Sequence, residues 1–219
     1  MGCKPRWLPF GDRRILLVRH GNTGKAASDA DRRITPKGEL QASAFKAAYA
    51  AQLSSVVFAF CSPVERTATT ARLLTGFDAT PVPDLYFGNI ISDEHRTVDR
   101  ALGYAPLQAY LRSHSALYSQ PAERMAAGLS AAGSSISGQG DALVVGHAMY
   151  LSLLTLEIIR GLTGSTLTAE LAAAGTEVVM RANVGEVEGF EISSEGVRYL
   201  RNPESEQSSA TRNDDFITT

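Results

Sequence analysis

Three short stretches of this 219-residue chain end an apolar run in side chains that can handle an anion. Ile15–Val18 (ILLV) runs into Arg19-His20-Gly21. Ser55–Phe60 (SVVFAF) runs into SPVERT, which carries Arg66. Ala142–Gly146 (ALVVG) runs into His147. Singly, each has an ordinary explanation: a basic surface turn, a solvated charge in the first turn of a helix, a hydrogen-bonded histidine after a strand. Two arginines and two histidines at the mouths of three strands need a shared reason, and a dianionic phosphoryl group supplies one. Guanidinium forks match phosphate oxygens two at a time. Arginines beside His20 disfavour its protonated form, and a neutral imidazole is a nucleophile able to form a covalent intermediate. His147 can then donate to the charge that develops on the transferring group. No metal and no other cofactor is called for, because the arginines carry the positive charge.

These side chains need elements to hold them. The three apolar runs lack alternation, as strands covered on both faces do. ITPKGELQASAFKAAYAAQL reads as a helix with Thr35 as N-cap, Pro36 at the first helical position and an apolar stripe of Leu40, Ala44, Ala47, Ala48 and Ala51. In SPVERTATTARLL, Ser62 and Glu65 have capping-box spacing around Pro63, and free N–H groups there add a site for an anion. Residues 81–120 start extended, then show helical stretches broken by Gly88, Gly103 and Pro106. ERMAAGLSAAGSSIS and AMYLSLLTLEIIRGL read as helices. EVVMRANVGEVEGFEIS and GVRYLR read as strands joined by a Ser-Ser-Glu-Gly turn. The alternation predicts an α/β fold, a single three-layer domain with a mainly parallel sheet between helices, whose ligand lies beyond the carboxyl ends of the strands. The domain is expected over 1–201, followed by a polar tail, 202–219, of disordered composition.

Bulk properties exclude several classes. The length suits one domain. Lys and Arg number 21 against 23 Asp and Glu, a net charge of −2 that argues against nucleic acid as a partner. No stretch reaches 18 apolar residues, the start has no apolar core long enough for a secretory signal, and the two cysteines have no metal-ligand spacing. The expectation is a soluble cytoplasmic protein with no membrane partner, acting on a phosphorylated small molecule. Nothing in the pattern speaks to oligomeric state.

LVRHGNT, SPVERTATTA and VVGHAMY, in that order, resemble the three motifs of the histidine phosphatase superfamily, the phosphoglycerate mutase-like proteins, and the likeness spans roughly Arg13 to Leu200. DADRRITPKGELQA is more loosely similar to the opening of the short bacterial phosphohistidine phosphatases. The resemblance implies the phosphoglycerate mutase-like fold and a metal-independent histidine acid-type phosphatase, a phosphoric monoester hydrolase, with His20 as the nucleophile that becomes phosphohistidine. Arg19, Arg66 and His147 complete the phosphate pocket, and Asn22 and Thr23 match its polar positions. Family members often protonate the leaving oxygen with a Glu or Asp within about thirty residues of the second-motif arginine. Here no acid directly follows His147, and ISDEHR offers Glu94 first, then Asp93 or His95.

GNTGKA is not a Walker loop, GSSISGQG lacks the dinucleotide-binding order, and no G-x-S-x-G is present. The sequence therefore predicts a phosphomonoesterase. The alternatives are a protein phosphatase acting on phosphohistidine, a phosphoglycerate mutase, and an inactive phosphate- or partner-binding module on the same fold.

Overall fold

The computed structural model describes residues 10–11, 13–103, 105–134 and 136–205. In chain order these form β1 (Ile15–Arg19), α1 (Pro36–Ala48), α2 (Ala50–Leu53), β2 (Val56–Cys61), α3 (Glu65–Thr75), β3 (Thr80–Pro81), α4 (Asp93–Leu102), α5 (Leu107–Gly133), β4 (Asp141–Gly146), α6 (Ala148–Leu162), α7 (Ala169–Arg181), β5 (Gly189–Ser193) and β6 (Gly196–Leu200). The strands make one sheet in the order β3-β2-β4-β1-β5-β6. The first four run parallel, β5 lies antiparallel to β1, and β6 lies antiparallel to β5, so the sheet is mixed but mostly parallel.

Both faces of the sheet are covered, which is why its central strands show no alternation in sequence. Ile15 and Leu17 of β1, with Ala142 and Val144 of β4, point into a core shared with α5, α6 and α7. Leu16 and Val18, with Leu143 and Val145, point into a second core under α1 and α3. Every one of these side chains is fully buried. The result is the single α/β domain with helices on both faces that the sequence predicts.

Local readings fare unequally. Thr35 does cap α1, its hydroxyl accepting the Gly38 N–H, with Pro36 in the first turn. The expected stripe does not face the core: Leu40 is 67% exposed, and α1 buries Gly38, Gln41, Ala42 and Phe45 instead. Alanines are nearly neutral markers of a face, and the bulk of Phe45 sets the contact. Ser62 does not cap α3, whose N-cap is Val64 with no side-chain bond. EVVMR is not strand. It closes α7, which Thr168 caps through the Leu171 N–H, and only Gly189–Ser193 of the predicted segment pairs in the sheet. The adjacent valines suggest a strand, but α7 presses Gly175 against Val197 of β6, where a Cβ would come within 2.5 Å. Asn202, read as the start of the tail, is fully buried and donates to the carbonyls of Gln41 and Val187. The described chain continues to Ser205, and the rest of the predicted tail, 206–219, lies outside the described residues.

Candidate active site

Because β2, β4 and β1 are adjacent and parallel, their carboxyl ends deliver Ser62, His147 and His20 to one rim of the sheet. The ladder continues one residue past the strand ends, with His20 N–H donating to Gly146 O at 3.1 Å and Ser62 N–H to Val145 O at 3.2 Å. Arg66 arrives from the first turn of α3 and is 1% exposed. The imidazoles of His20 and His147 meet edge to face, with ring centres 5.2 Å apart.

The hydrogen bonds of His20 define its tautomer. Nδ1 lies 2.8 Å from Gly21 O, which can only accept, so Nδ1 carries the proton. Nε2 is left with its lone pair, facing the Arg66 Nε–H at 3.3 Å. Gly21 is fixed in turn: its N–H donates to Thr70 Oγ1, and a Cβ there would stand 2.9 Å from Gly38 O. The start of α1 thus rests backbone on backbone against the segment that follows His20.

Burial pulls the His20 pKa from 6.5 down to about 3. The Gly21 bond opposes the shift, and the charges of Arg19, Arg66 and Arg32 add to it. His147 is held well below the usual imidazole range by burial, then by His20 and the same arginines. Both rings are therefore neutral near pH 7. An unfolded chain protonates His20 below about pH 6.5 while the native chain resists until near 3, so the unfolded state binds the extra proton and stability falls as pH falls through that window. At pH 4 His20 alone is expected to cost roughly 3 kcal/mol, at about 1.4 kcal/mol per unit. Denaturation midpoints of wild type and His20→Asn at pH 7, 5.5 and 4 check this. The variant should lose less stability on acidification, and parallel curves would refute it.

His147 Nε2 lies 2.9 Å from Ser62 Oγ, whereas Nδ1 is buried without a partner among the described residues. A buried imidazole nitrogen left without a partner is a ready contact for an incoming oxygen anion. Arg19 is buried and donates through Nη1 to Val184 O at 2.8 Å. The residue after His147, Ala148, has φ of 22°, a strained entry into α6. Tyr86 and Phe87 wall the other side, with ring centres 5.8 and 4.9 Å from that of His147, and Phe87 stacks on Tyr150.

Arg19, His20, Arg66 and His147 are thus brought together. Asn22 adjoins them, but its amide is engaged within the protein, Nδ2 with Glu186 and Oδ1 with Thr35 Oγ1. Thr23 forms a β-bridge with Ile34. Glu94 sits exposed in the first turn of α4 and makes no hydrogen bond or ion pair among the described residues. Asp93 is exposed beside Arg96. His95 is a structural tie: Nδ1 accepts from Ser92 N–H and Nε2 donates to Leu117 O, completing the capping box of α4.

A carboxylate that does touch the constellation is Asp29, which lies in the DADRRITPKGELQA stretch but is not among the acids the sequence offers as proton donor. Its Oδ2 lies 2.6 Å from Arg66 Nη2 and accepts from the Tyr86 hydroxyl at 3.2 Å, while Oδ1 is 3.5 Å from Arg32 Nη1. Its backbone carbonyl takes Arg66 Nη1 as well. Ser62, Thr70, Gln41 and Glu186 were missed with it. Ser62 had a signal, but capping-box spacing explained it equally well.

Residues 15–179 match the family model described as histidine phosphatase superfamily (branch 1). Comparison with curated proteins gives no match. Among solved structures the chain is similar to mycobacterial glucosyl-3-phosphoglycerate phosphatase (17% identity over 87% of this chain and 98% of that one, TM-score 0.57). It is similar also to phosphoserine phosphatase from Entamoeba histolytica (15%, over 87% and 98%, TM-score 0.53) and to mycobacterial hydrolase 1 (17%, over 86% and 97%, TM-score 0.55). At these identities the likeness is one of fold.

Proposed function

The chain belongs to the histidine phosphatase superfamily, branch 1, and on that footing we propose that it is a phosphomonoesterase that hydrolyses a small phosphorylated substrate through a phosphohistidine on His20. One observation carries the reading: His20 is neutral, with its proton fixed on Nδ1 by Gly21 and the Nε2 lone pair turned toward the guanidinium of Arg66. That is an imidazole prepared to attack, beside the charge that would hold its target.

In the proposed reaction the phosphoryl group takes over the Nη groups of Arg66 from Asp29, and Arg19 and Arg66 balance its charge. The Ser62 hydroxyl donates a hydrogen bond to His147 Nε2 and keeps its proton, which leaves Nδ1–H of His147 for a phosphoryl oxygen. His20 Nε2 forms the bond to phosphorus as the P–O bond to the leaving group breaks. The departing oxygen takes its proton from Asp29, which we place in this role ahead of Glu94 because it alone among the acidic candidates contacts the constellation. A phosphoryl dianion beside it favours the protonated, donor form of a carboxyl group. Water then attacks phosphorus, its proton passes to Asp29, and the P–N bond breaks to release phosphate and neutral His20. Most of the rate comes from positioning and fixed charge.

The 24–33 segment, pinned by the Gly24 N–H bond to Arg33 O, lays Asp29 on Arg66 beside His20, and a loop held that close to the site supports a small substrate over a protein surface. The fold-level neighbours named for phosphoserine and glucosyl-3-phosphoglycerate point the same way.

The test is to quench turnover of a radiolabelled phosphomonoester and look for label on the protein. Label that survives alkali, is lost in acid and maps to His20 is the expected result. Phosphate release with no label ever trapped, together with oxygen exchange patterns of direct water attack, would overturn the intermediate. Phosphoryl transfer to a second substrate hydroxyl instead of water would make the chain a mutase.

A further inference from the structure

Arg19 and Asn22 are both held from one turn that lies beyond the three motifs. Val184 O accepts Arg19 Nη1 at 2.8 Å. Two residues on, the Glu186 carboxylate takes Asn22 Nδ2 at 2.9 and 3.1 Å and Gln41 Nε2 at 3.1 Å. Gln41 Oε1 accepts the backbone N–H of Asn22, and Thr35 donates to Asn22 Oδ1 at 2.7 Å. With a carboxylate on its nitrogen and a hydroxyl donor on its oxygen, the Asn22 amide has one orientation. The two oxygens of a single carboxylate subtend too narrow an angle at Nδ2 to engage both amide hydrogens, so one hydrogen is shared between them and the other has no partner among the described residues.

The turn is built at a cost. Val187, a β-branched and fully buried residue, has φ of 50°, in the left-handed region that such residues avoid. Strain of this kind persists only where the surroundings over-determine it. Here they do. The buried Glu188 carboxylate receives the Gly185 N–H, the Tyr199 and Ser205 hydroxyls and the Asn202 N–H. Asn202 also donates to Val187 O. Gly189, the next residue, runs so close to Leu17 O that no Cβ fits, which locks the turn to the strand carrying Arg19. Five residues are held in a strained shape whose outward-facing products are one carbonyl on Arg19 and one carboxylate on Asn22.

We infer that Glu186 is a positioning residue of the active site, acting through Asn22 to aim a single amide hydrogen at the phosphoryl group and to hold the Gly21–Asn22 segment that fixes the His20 tautomer. Glu186 touches neither His20 nor its arginines, and it lies past the 15–179 family match. This inference rests on the phosphatase reading for its rate effects but not for its geometry.

The experiment is a double-mutant cycle of Glu186→Ala and Asn22→Ala, with Glu186→Gln as the conservative variant. Turnover, inhibition by inorganic phosphate and the ¹⁵N shifts of His20 are the readouts. Glu186→Ala is expected to lower kcat on the order of 10²-fold, as small misplacements at reacting centres do, and to blur the His20 signals between tautomers. In the Asn22→Ala background the same change should cost no more than a few-fold. Glu186→Gln should keep most activity, because its side-chain oxygen still takes the Asn22 amide. Additive losses, or Glu186→Gln as inactive as Glu186→Ala, would overturn the positioning role, the latter in favour of proton transfer by Glu186 itself. Loss of thermal stability with kcat and ¹⁵N shifts unmoved would reduce it to a structural tie. If wild type turns over no ester, the ¹⁵N shifts and phosphate binding still decide the inference, so its failure is separable from that of the proposed reaction.

Discussion

Replacing His20 with alanine is expected to lower kcat by a factor of the order of 10⁴–10⁶, the scale on which loss of a nucleophile is felt. The substitution removes the only atom poised to bond phosphorus, Nε2, while Arg19, Arg66 and His147 remain to bind and polarise the ester. Phosphate inhibition should therefore change by no more than about tenfold, since guanidinium groups and not a neutral imidazole carry the binding charge. Residual turnover would come from water attacking an ester still held in a charged, partly dry pocket. The measurement is initial-rate kinetics on the best ester of a panel, with the phosphohistidine trap run in parallel. Turnover above about one hundredth of wild type, with no label on the protein, would assign the attack to water and reduce His20 to an electrostatic role.

The second large effect concerns the proton. Asp29→Asn should slow alkyl phosphates by about 10²–10⁴-fold, the usual worth of a positioned acid. It should leave p-nitrophenyl phosphate within about tenfold, because that leaving oxygen departs without help. The same substitution removes the carboxylate that now occupies Arg66 at 2.6 Å, so inorganic phosphate should inhibit the variant more strongly than wild type. Glu94→Gln, changing an exposed side chain without a partner among the described residues, is expected to stay within about twofold on every ester. Leaving-group-dependent loss in Glu94→Gln but not in Asp29→Asn would return the proton to Glu94, the donor that the sequence favours, and would require α4 to close over the pocket. Equal loss on all esters in Asp29→Asn would mean that Asp29 only places Arg66.

What could be read from the chain itself was whatever a local pattern records. An apolar run without alternation signals a strand covered on both faces, and Ile15–Val18, Ala142–Val145 and, apart from the exposed Val57, the run before Cys61 are such strands. Parallel strands bring their carboxyl ends to one edge, so Arg19, His20, Arg66 and His147 could be collected in one site from the sequence, and Thr35 could be identified as the cap of α1. The remaining parts of the site are contacts between segments far apart in the chain. Asp29 meets Arg66 across 37 residues, Ser62 meets His147 across 85, and Glu186 meets Asn22 across 164. No periodicity encodes such meetings. An aspartate in a polar loop, a serine at capping distance and a glutamate in a segment that reads as strand all have adequate local explanations. Even the helix α7 was masked by its valines until Gly175 packed on β6. The strand order places β4 between β1 and β2 and β5 on the far side of β1, and that order decides which carboxylate each polar side chain meets. Local patterns marked His20, His147 and the arginines at the ends of strands and the start of a helix; the order of the sheet chose the groups that hold them.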